Sequence, residues 1–294
     1  MRMLFLAIAA AMLLVAPARA GGAPPSVVVS IPPLHALVAG VMEGVGQPYL
    51  LVPAGASPHA QGLRPADARR LELAQVVFWL GEPLEAFLVR PLRTLPREAE
   101  IVALIEAEGL ILLPPRDGIG SGIDPHVWLD PVNAIAMVGA VARTLARVDP
   151  LHGRRYDANA TRLIARIEDL ARNLATLLAP VQKLPYVVFH DAYGYFENRY
   201  ELASIGAVAL DPGRTASARR VADIRQRLRY GGALCVFTEP QFEPRLIATL
   251  TEGTAARVGV LDPLGVGSRP GADAYFELMT RLATSLRDCL LAAR

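Results

Sequence analysis

Apolar residues in this chain fall into two rhythms: short β-branched runs, and longer stretches in steps of three and four. The first run, 26–31, is stopped by Pro32-Pro33, which cannot extend a strand and instead opens a helix predicted over 34–43. A second, 49–52, runs into Pro53-Ala54-Gly55-Ala56-Ser57-Pro58-His59, a loop made of residues that break regular structure. Pro65-Ala66-Asp67 opens the next helix, with proline in the first turn where its missing N–H does no harm. Residues 76–80 read as an apolar strand, followed by Gly81 and an amphipathic helix around 85–89. This β-α-β-α order is that of a sheet with helices on its faces.

A Pro/Gly-rich stretch, 114–122, leads to Asp124-Pro125-His126-Val127-Trp128-Leu129-Asp130-Pro131. The two prolines hold the residues before them extended, which puts His126 on a stiff loop or a short strand. A helix is predicted over 133–148, until Asp149-Pro150 interrupts it. Tyr156, Ala160, Leu163, Ile167, Leu170, Leu174 and Leu177 then form a heptad-like stripe on one long helix ending near Ala179-Pro180. At 1.5 Å per residue, a helix of more than twenty residues runs about 30 Å or more, enough to cross a domain. Such a stripe serves either core packing, its commoner use, or a coiled-coil seam. The second half repeats the α/β rhythm: strands at 186–190, 202–208, 233–237 and 257–261, helices at 217–229, near 243–250 and at 273–291. The fold class expected is α/β, two α/β lobes joined by one long helix. Residues 21–149 form the first lobe, 150–180 the link and 181–294 the second lobe.

Residues 1–20 stand apart, with Arg2, an apolar run over 4–15 and Ala18-Arg19-Ala20 before Gly21. This is the pattern of a cleavable export signal, with cleavage near Ala20. Its apolar core of about twelve residues is short of the ~20 that span a bilayer. No other stretch is apolar enough, so an exported protein that is not membrane-embedded is expected, the bacterial periplasm being the natural compartment. A formal charge of +2, with basic residues scattered among acidic ones, gives no electrostatic case for nucleic acid. In an oxidising compartment the two cysteines, Cys235 and Cys289, are expected to form a disulfide.

Only five histidines occur. His35 lies in an apolar helix and reads as structural, and His152 at the start of the long helix reads as exposed. His59, His126 and His190 each follow or interrupt an extended run, where open α/β sheets gather ligands beyond the carboxyl ends of their strands. Neutral imidazoles without thiolate suit zinc and other divalent transition metals and disfavour magnesium and calcium. Spacing alone leaves two readings: one shared metal site, or three unrelated loop histidines.

The chain resembles the periplasmic zinc-binding component of bacterial ABC importers, the ZnuA type among TroA-like metal-binding proteins. The resemblance rests on Ser30-Ile31 with Pro33-Leu34, Gly55-Ala56-Ser57 with His59, Leu63-Arg64-Pro65 with Asp67, and His126 with Trp128-Leu129. It continues through residues 189–196 (F-H-D-A-Y-G-Y-F), Cys235-Val236-Phe237 with Glu239-Pro240-Gln241-Phe242, and 261–265 (L-D-P-L-G). It covers essentially the whole chain after the signal.

The resemblance implies two lobes on a rigid long helix, with Zn²⁺ held between them by His59 and His126 from the first lobe and His190 from the second. The histidine at 190 favours zinc, since manganese-type relatives tend to carry a carboxylate there. Asp262 or water completes the coordination, and Cys235 and Cys289 match the family's disulfide positions. Asp191 and Glu239 stand open between orienting a ligating imidazole and capping local structure. Pro58 occupies a place where some zinc members carry an acidic residue, and 114–122 holds no histidine, unlike the long histidine-rich loop of many relatives. The implied role is a monomeric carrier, not an enzyme, that delivers zinc to an inner-membrane ABC permease. The alternatives are manganese or iron carriage and, from three histidines plus water, a zinc hydrolase.

Overall fold

Val27, Val28 and Val29 are buried on both faces of their strand, as a central parallel strand requires. The computed structural model describes residues 22–53, 55–59, 62–95, 98–116, 122–209, 217–241 and 250–294. The export signal expected over 1–20 lies outside them, as does the helix expected near 243–250 except its last residue. Strands β1 (Val27–Val29), β2 (Tyr49–Leu50), β3 (Val76–Trp79) and β4 (Glu100–Ala103) form one parallel sheet in the order β2-β1-β3-β4. Strands β5 (Tyr186–His190), β6 (Ser204–Ala209), β7 (Cys235–Thr238) and β8 (Arg257–Val260) form a second, ordered β6-β5-β7-β8. The helices described are α1 (Pro32–Val41), α2 (Pro65–Glu72), α3 (Val89–Thr94), α4 (Pro131–Val148), α5 (Gly153–Leu178), α6 (Gly194–Tyr200), α7 (Ala218–Tyr230) and α8 (Asp273–Ala292). The fold is thus two parallel-sheet α/β lobes with the long helix α5 between them in the chain.

Three local expectations are corrected. Strand β4 was not expected, because Glu100-Ile101-Val102-Ala103 lies at a sheet edge, half covered, and begins with a charge that pairs with Arg147. Around 85–89 the chain makes only a 3₁₀ turn before α3, since the Glu85 side chain turns back to accept hydrogen bonds from Leu80 N (2.7 Å) and Gly81 N (3.1 Å). His152 is half-buried, its Nδ1 2.7 Å from Asp149 Oδ2.

Helix α5 runs 26 residues, about 39 Å at 1.5 Å per residue. Its stripe packs inside the molecule, against α1, α4 and α8, and closes with Leu178 buried where Leu177 is only partly covered. Helices α1 and α5 approach so closely that a Cβ on Gly40 would lie 2.8 Å from Leu163. Asn159 Nδ2 donates to Val41 O (2.7 Å) and Glu43 O (2.9 Å), satisfying carbonyls left open at the end of α1. Helix α8, in the second half of the chain, also packs on α1. A disulfide joins Cys235 on β7 to Cys289 on α8, closing a loop for which the chain-entropy model gives about 4 kcal/mol.

The fully buried Glu85 tests this core. Burial pushes its carboxyl up to about 7, against the backbone N–H groups that favour the ionised form. A folded-state value above the unfolded one stabilises the fold at low pH, and that contribution is lost as pH rises through about 7. Glu85→Gln, a neutral isostere, is expected to exceed the parent in stability at pH 8.5 by an amount on the order of 3 kcal/mol. The gap should close toward pH 4.5; urea unfolding with chelator at both pH values measures it, and a pH-independent gap contradicts the assignment.

Candidate metal centre

Each sheet offers the site its carboxyl-terminal edge. In the second sheet the strand order reverses between β5 and β7, the place where open α/β sheets bind ligands. His190 ends β5 and Glu239 follows β7, so the two flank this point. His59 sits in the loop after β2, where residues 51–59 turn away from the sheet with Ala56 N donating to Pro53 O (2.9 Å). His126 lies on a loop, not a strand. Its backbone (φ −81°, ψ 39°) starts the 3₁₀ turn Val127–Leu129, which leads into α4 at Asp130-Pro131.

From positions 67 and 64 residues apart, these loops bring the three rings together. Ring centroids lie 5.5 Å apart for His59–His126, 5.3 Å for His59–His190 and 4.9 Å for His126–His190. One ligand nitrogen from each histidine falls within 4.8 Å of the other two. A tetrahedral zinc with Zn–N of about 2.0–2.1 Å sets such nitrogens about 3.3 Å apart, so small ring rotations close the gap. The rings border a cavity of about 10 Å³, also lined by Pro58, Glu239, Gln241 and Pro263, the size of one water-sized sphere.

Carboxylates aim two of the rings. Asp124 Oδ1 accepts both the backbone N–H (3.0 Å) and the Nδ1–H (2.7 Å) of His126. That fixes the tautomer and turns Nε2 inward, where it is buried with no hydrogen-bond partner among the described residues. Burial, then the neighbouring His190, hold His126 well below the usual imidazole range. Burial also pushes Asp124 up to about 7. The contact is therefore a hydrogen bond to a neutral ring rather than an ion pair. Behind His190, the Glu239 oxygens lie 3.3 and 3.4 Å from Nδ1, and Tyr193 donates its O–H to Glu239 Oε1 at 2.9 Å. Burial and this carboxylate raise Tyr193 well above the usual phenol range, so it stays a donor. A buried inward-facing nitrogen with no partner, in a set of neutral imidazoles, fits a borderline-soft divalent cation.

The other candidates lie differently. Asp191 pairs with Arg116 Nε at 2.6 Å, and the same guanidinium bonds Glu197. Arg116 comes from the short loop that carries no histidine, and it neutralises two buried carboxylates beside His190. Asp262 is outside the group of ligand atoms formed, among the described residues, by the three histidines. Its oxygens accept from Gln241 Nε2 (2.9 Å), Leu264 N (3.0 Å) and Val266 N (2.5 Å). His35 is buried with Nε2 3.0 Å from Pro48 O, a structural role. Asp124 was missed in the sequence. Its signal was local, an acidic residue two before the histidine, placed to accept that residue's own N–H in an Asx turn.

The lobes are tied around the site. Trp128 Nε1 donates to Pro263 O (2.9 Å) and Tyr275 O–H to Trp128 O (2.9 Å). Tyr195 O–H donates to Asp124 O (2.9 Å) while accepting Leu113 N–H (3.0 Å). Arg199 forks onto both oxygens of Asp130 (2.8 and 2.7 Å). At the start of α6, a Cβ on Gly194 would lie 2.9 Å from Asp124 Oδ2, so only glycine leaves that carboxylate its place.

Known proteins are similar to this chain over most of its length. The high-affinity zinc uptake system protein ZnuA of Brucella abortus (strain 2308) is 39% identical, with 90% of this chain and 91% of that protein covered. The protein of the same name from Yersinia pestis is 35% identical, with 96% of both covered. Among solved structures, a ZnuA deletion mutant with zinc bound superposes with a TM-score of 0.79 at 24% identity, covering 91% of this chain and 98% of that one. A manganese-bound periplasmic metal-binding protein from candidatus liberibacter asiaticus gives 0.77 at 20% identity, covering 90% and 99%; at such identities the likeness speaks for the fold alone. The family model described as ZnuA, zinc-uptake complex component A, periplasmic, matches residues 27–289, and this chain belongs to that family.

Proposed function

We propose that the protein captures Zn²⁺ in the periplasm through His59, His126 and His190 and hands it to an inner-membrane ABC permease as a monomeric carrier. The observation that carries this reading is the convergence of three imidazole nitrogens within 4.8 Å of one another. A signal over residues 1–20 directs export and is removed near Ala20. The role makes and breaks no bond: zinc is cargo. Neutral imidazoles bind it by lone pairs, the Asp124 and Glu239 carboxylates hold two rings in the receptive tautomer, and the interlobe hydrogen bonds keep the loops in register. A site whose inward face is imidazole rather than carboxylate favours zinc over manganese.

Two outcomes test this reading. Calorimetry at neutral pH is expected to register tight zinc binding by the chelator-stripped protein, and His190→Ala to lose at least a hundredfold in affinity. Absence of tight binding, or an unchanged affinity in the variant, contradicts the reading, and so does manganese outcompeting zinc. Asp124→Asn keeps the shape but weakens the acceptor for His126 Nδ1–H. It is expected to weaken zinc by about 10- to 100-fold, the usual cost of losing a partner that orients a ligand, with the fold intact by circular dichroism.

A further inference from the structure

Gln241 follows Glu239-Pro240 after β7 and lines the same cavity as the three histidines. The sense of its amide is fixed by chemistry. Asp262 Oδ1 accepts from Gln241 Nε2 (2.9 Å), and an ionised carboxylate only accepts, so the NH₂ end must face it and Oε1 the other way. Asp262 cannot easily turn, because the backbone N–H groups of Leu264 and Val266 hold both its oxygens. Gln241 Oε1 is buried and, among the described residues, accepts no hydrogen bond.

A buried acceptor is normally paired, so a donor for Oε1 has to come from what the cavity holds. The histidines do not suit. The Nδ1 atoms of His126 and His190 face Asp124 and Glu239, and nitrogens that meet a metal present lone pairs, not protons. A water on the metal does suit, since coordination leaves both its hydrogens free to donate and makes them more acidic.

We propose that Gln241 Oε1 accepts a hydrogen bond from a water at the fourth position of zinc, so that Asp262 acts on the metal through the Gln241 amide instead of ligating it. This rests on the zinc-carrier reading and makes Gln241 a positioning residue. Its consequence is selectivity. The donor set stays neutral, three imidazoles and a water, with Asp262 kept a side chain away and Glu239 engaged by Tyr193 behind His190.

The test loads wild-type protein and Gln241→Leu, which keeps the bulk and removes the acceptor, with Zn²⁺ and with Co²⁺ as a spectroscopic substitute. Gln241→Leu is expected to bind Zn²⁺ about tenfold more weakly, with an altered Co²⁺ visible spectrum and an unchanged melting temperature of the metal-free protein. Equal affinity and an identical spectrum overturn the proposal. Electron paramagnetic resonance of the wild-type Co²⁺ protein in water enriched in ¹⁷O provides a measurement that needs no variant. Line broadening from a metal-bound water oxygen is expected, and its absence, meaning that no water occupies the fourth position, overturns the proposal. Failure of the wild type to bind Zn²⁺ or Co²⁺ at all would instead sink the carrier reading beneath it.

Discussion

Three imidazoles brought to one point, two of them buried, set the terms for everything around them. A buried ring nitrogen needs either a proton donor or a cation, and burial disfavours charging the rings themselves. For His126 the consequence is explicit: Nδ1 is committed to Asp124, its pKa is driven down, and Nε2 faces inward without a partner. The surroundings follow from that demand. Carboxylates sit behind the rings to fix their tautomers, while the carboxylates beside them are taken up by Arg116 and by the turn after Asp262. The cavity they border is lined by the three imidazoles, the Gln241 amide, Glu239 and two prolines.

Such a site needs its loops held, because His59 and His126 stand on irregular backbone and only His190 is carried by a strand, at its last residue. The holding is done between the lobes. Trp128, Tyr195, Tyr275 and the Arg199–Asp130 fork join residues more than 65 positions apart in the chain, and each touches or neighbours a segment that carries a site residue. Trp128 lies two residues after His126, its ring centroid 5.3 Å from the imidazole. The long helix α5 and the closing helix α8, both packed on α1, supply the floor beneath. Rigidity at the rims and convergence at the centre are thus one feature.

Much of this could be read from residues in order. Unbroken β-branched runs gave the central strands and the stripe from Tyr156 gave α5, whereas the spacing of the three histidines left one shared site and three unrelated loops both open, and the family resemblance chose the first. Strand β4 escaped because an edge strand that begins with glutamate shows neither a buried run nor an alternation. The use of Arg116 escaped because its partners, Asp191 and Glu197, lie 75 and 81 residues away, and a pairing across lobes leaves no period in the sequence. Asp262 illustrates a different limit. A carboxylate after a strand can ligate or can hold its own turn, and the residues in order carry no sign of the three donors that converge on its oxygens. Asp124 lay within reach, since the acid, proline and histidine are consecutive.

X-ray absorption at the zinc edge of the stoichiometrically loaded protein tests the central claim most directly. The account predicts three imidazole nitrogens at about 2.0–2.1 Å and one further light ligand, with the multiple-scattering signature of histidine. A shell with fewer than three imidazoles, or six oxygen-dominated neighbours, would contradict it.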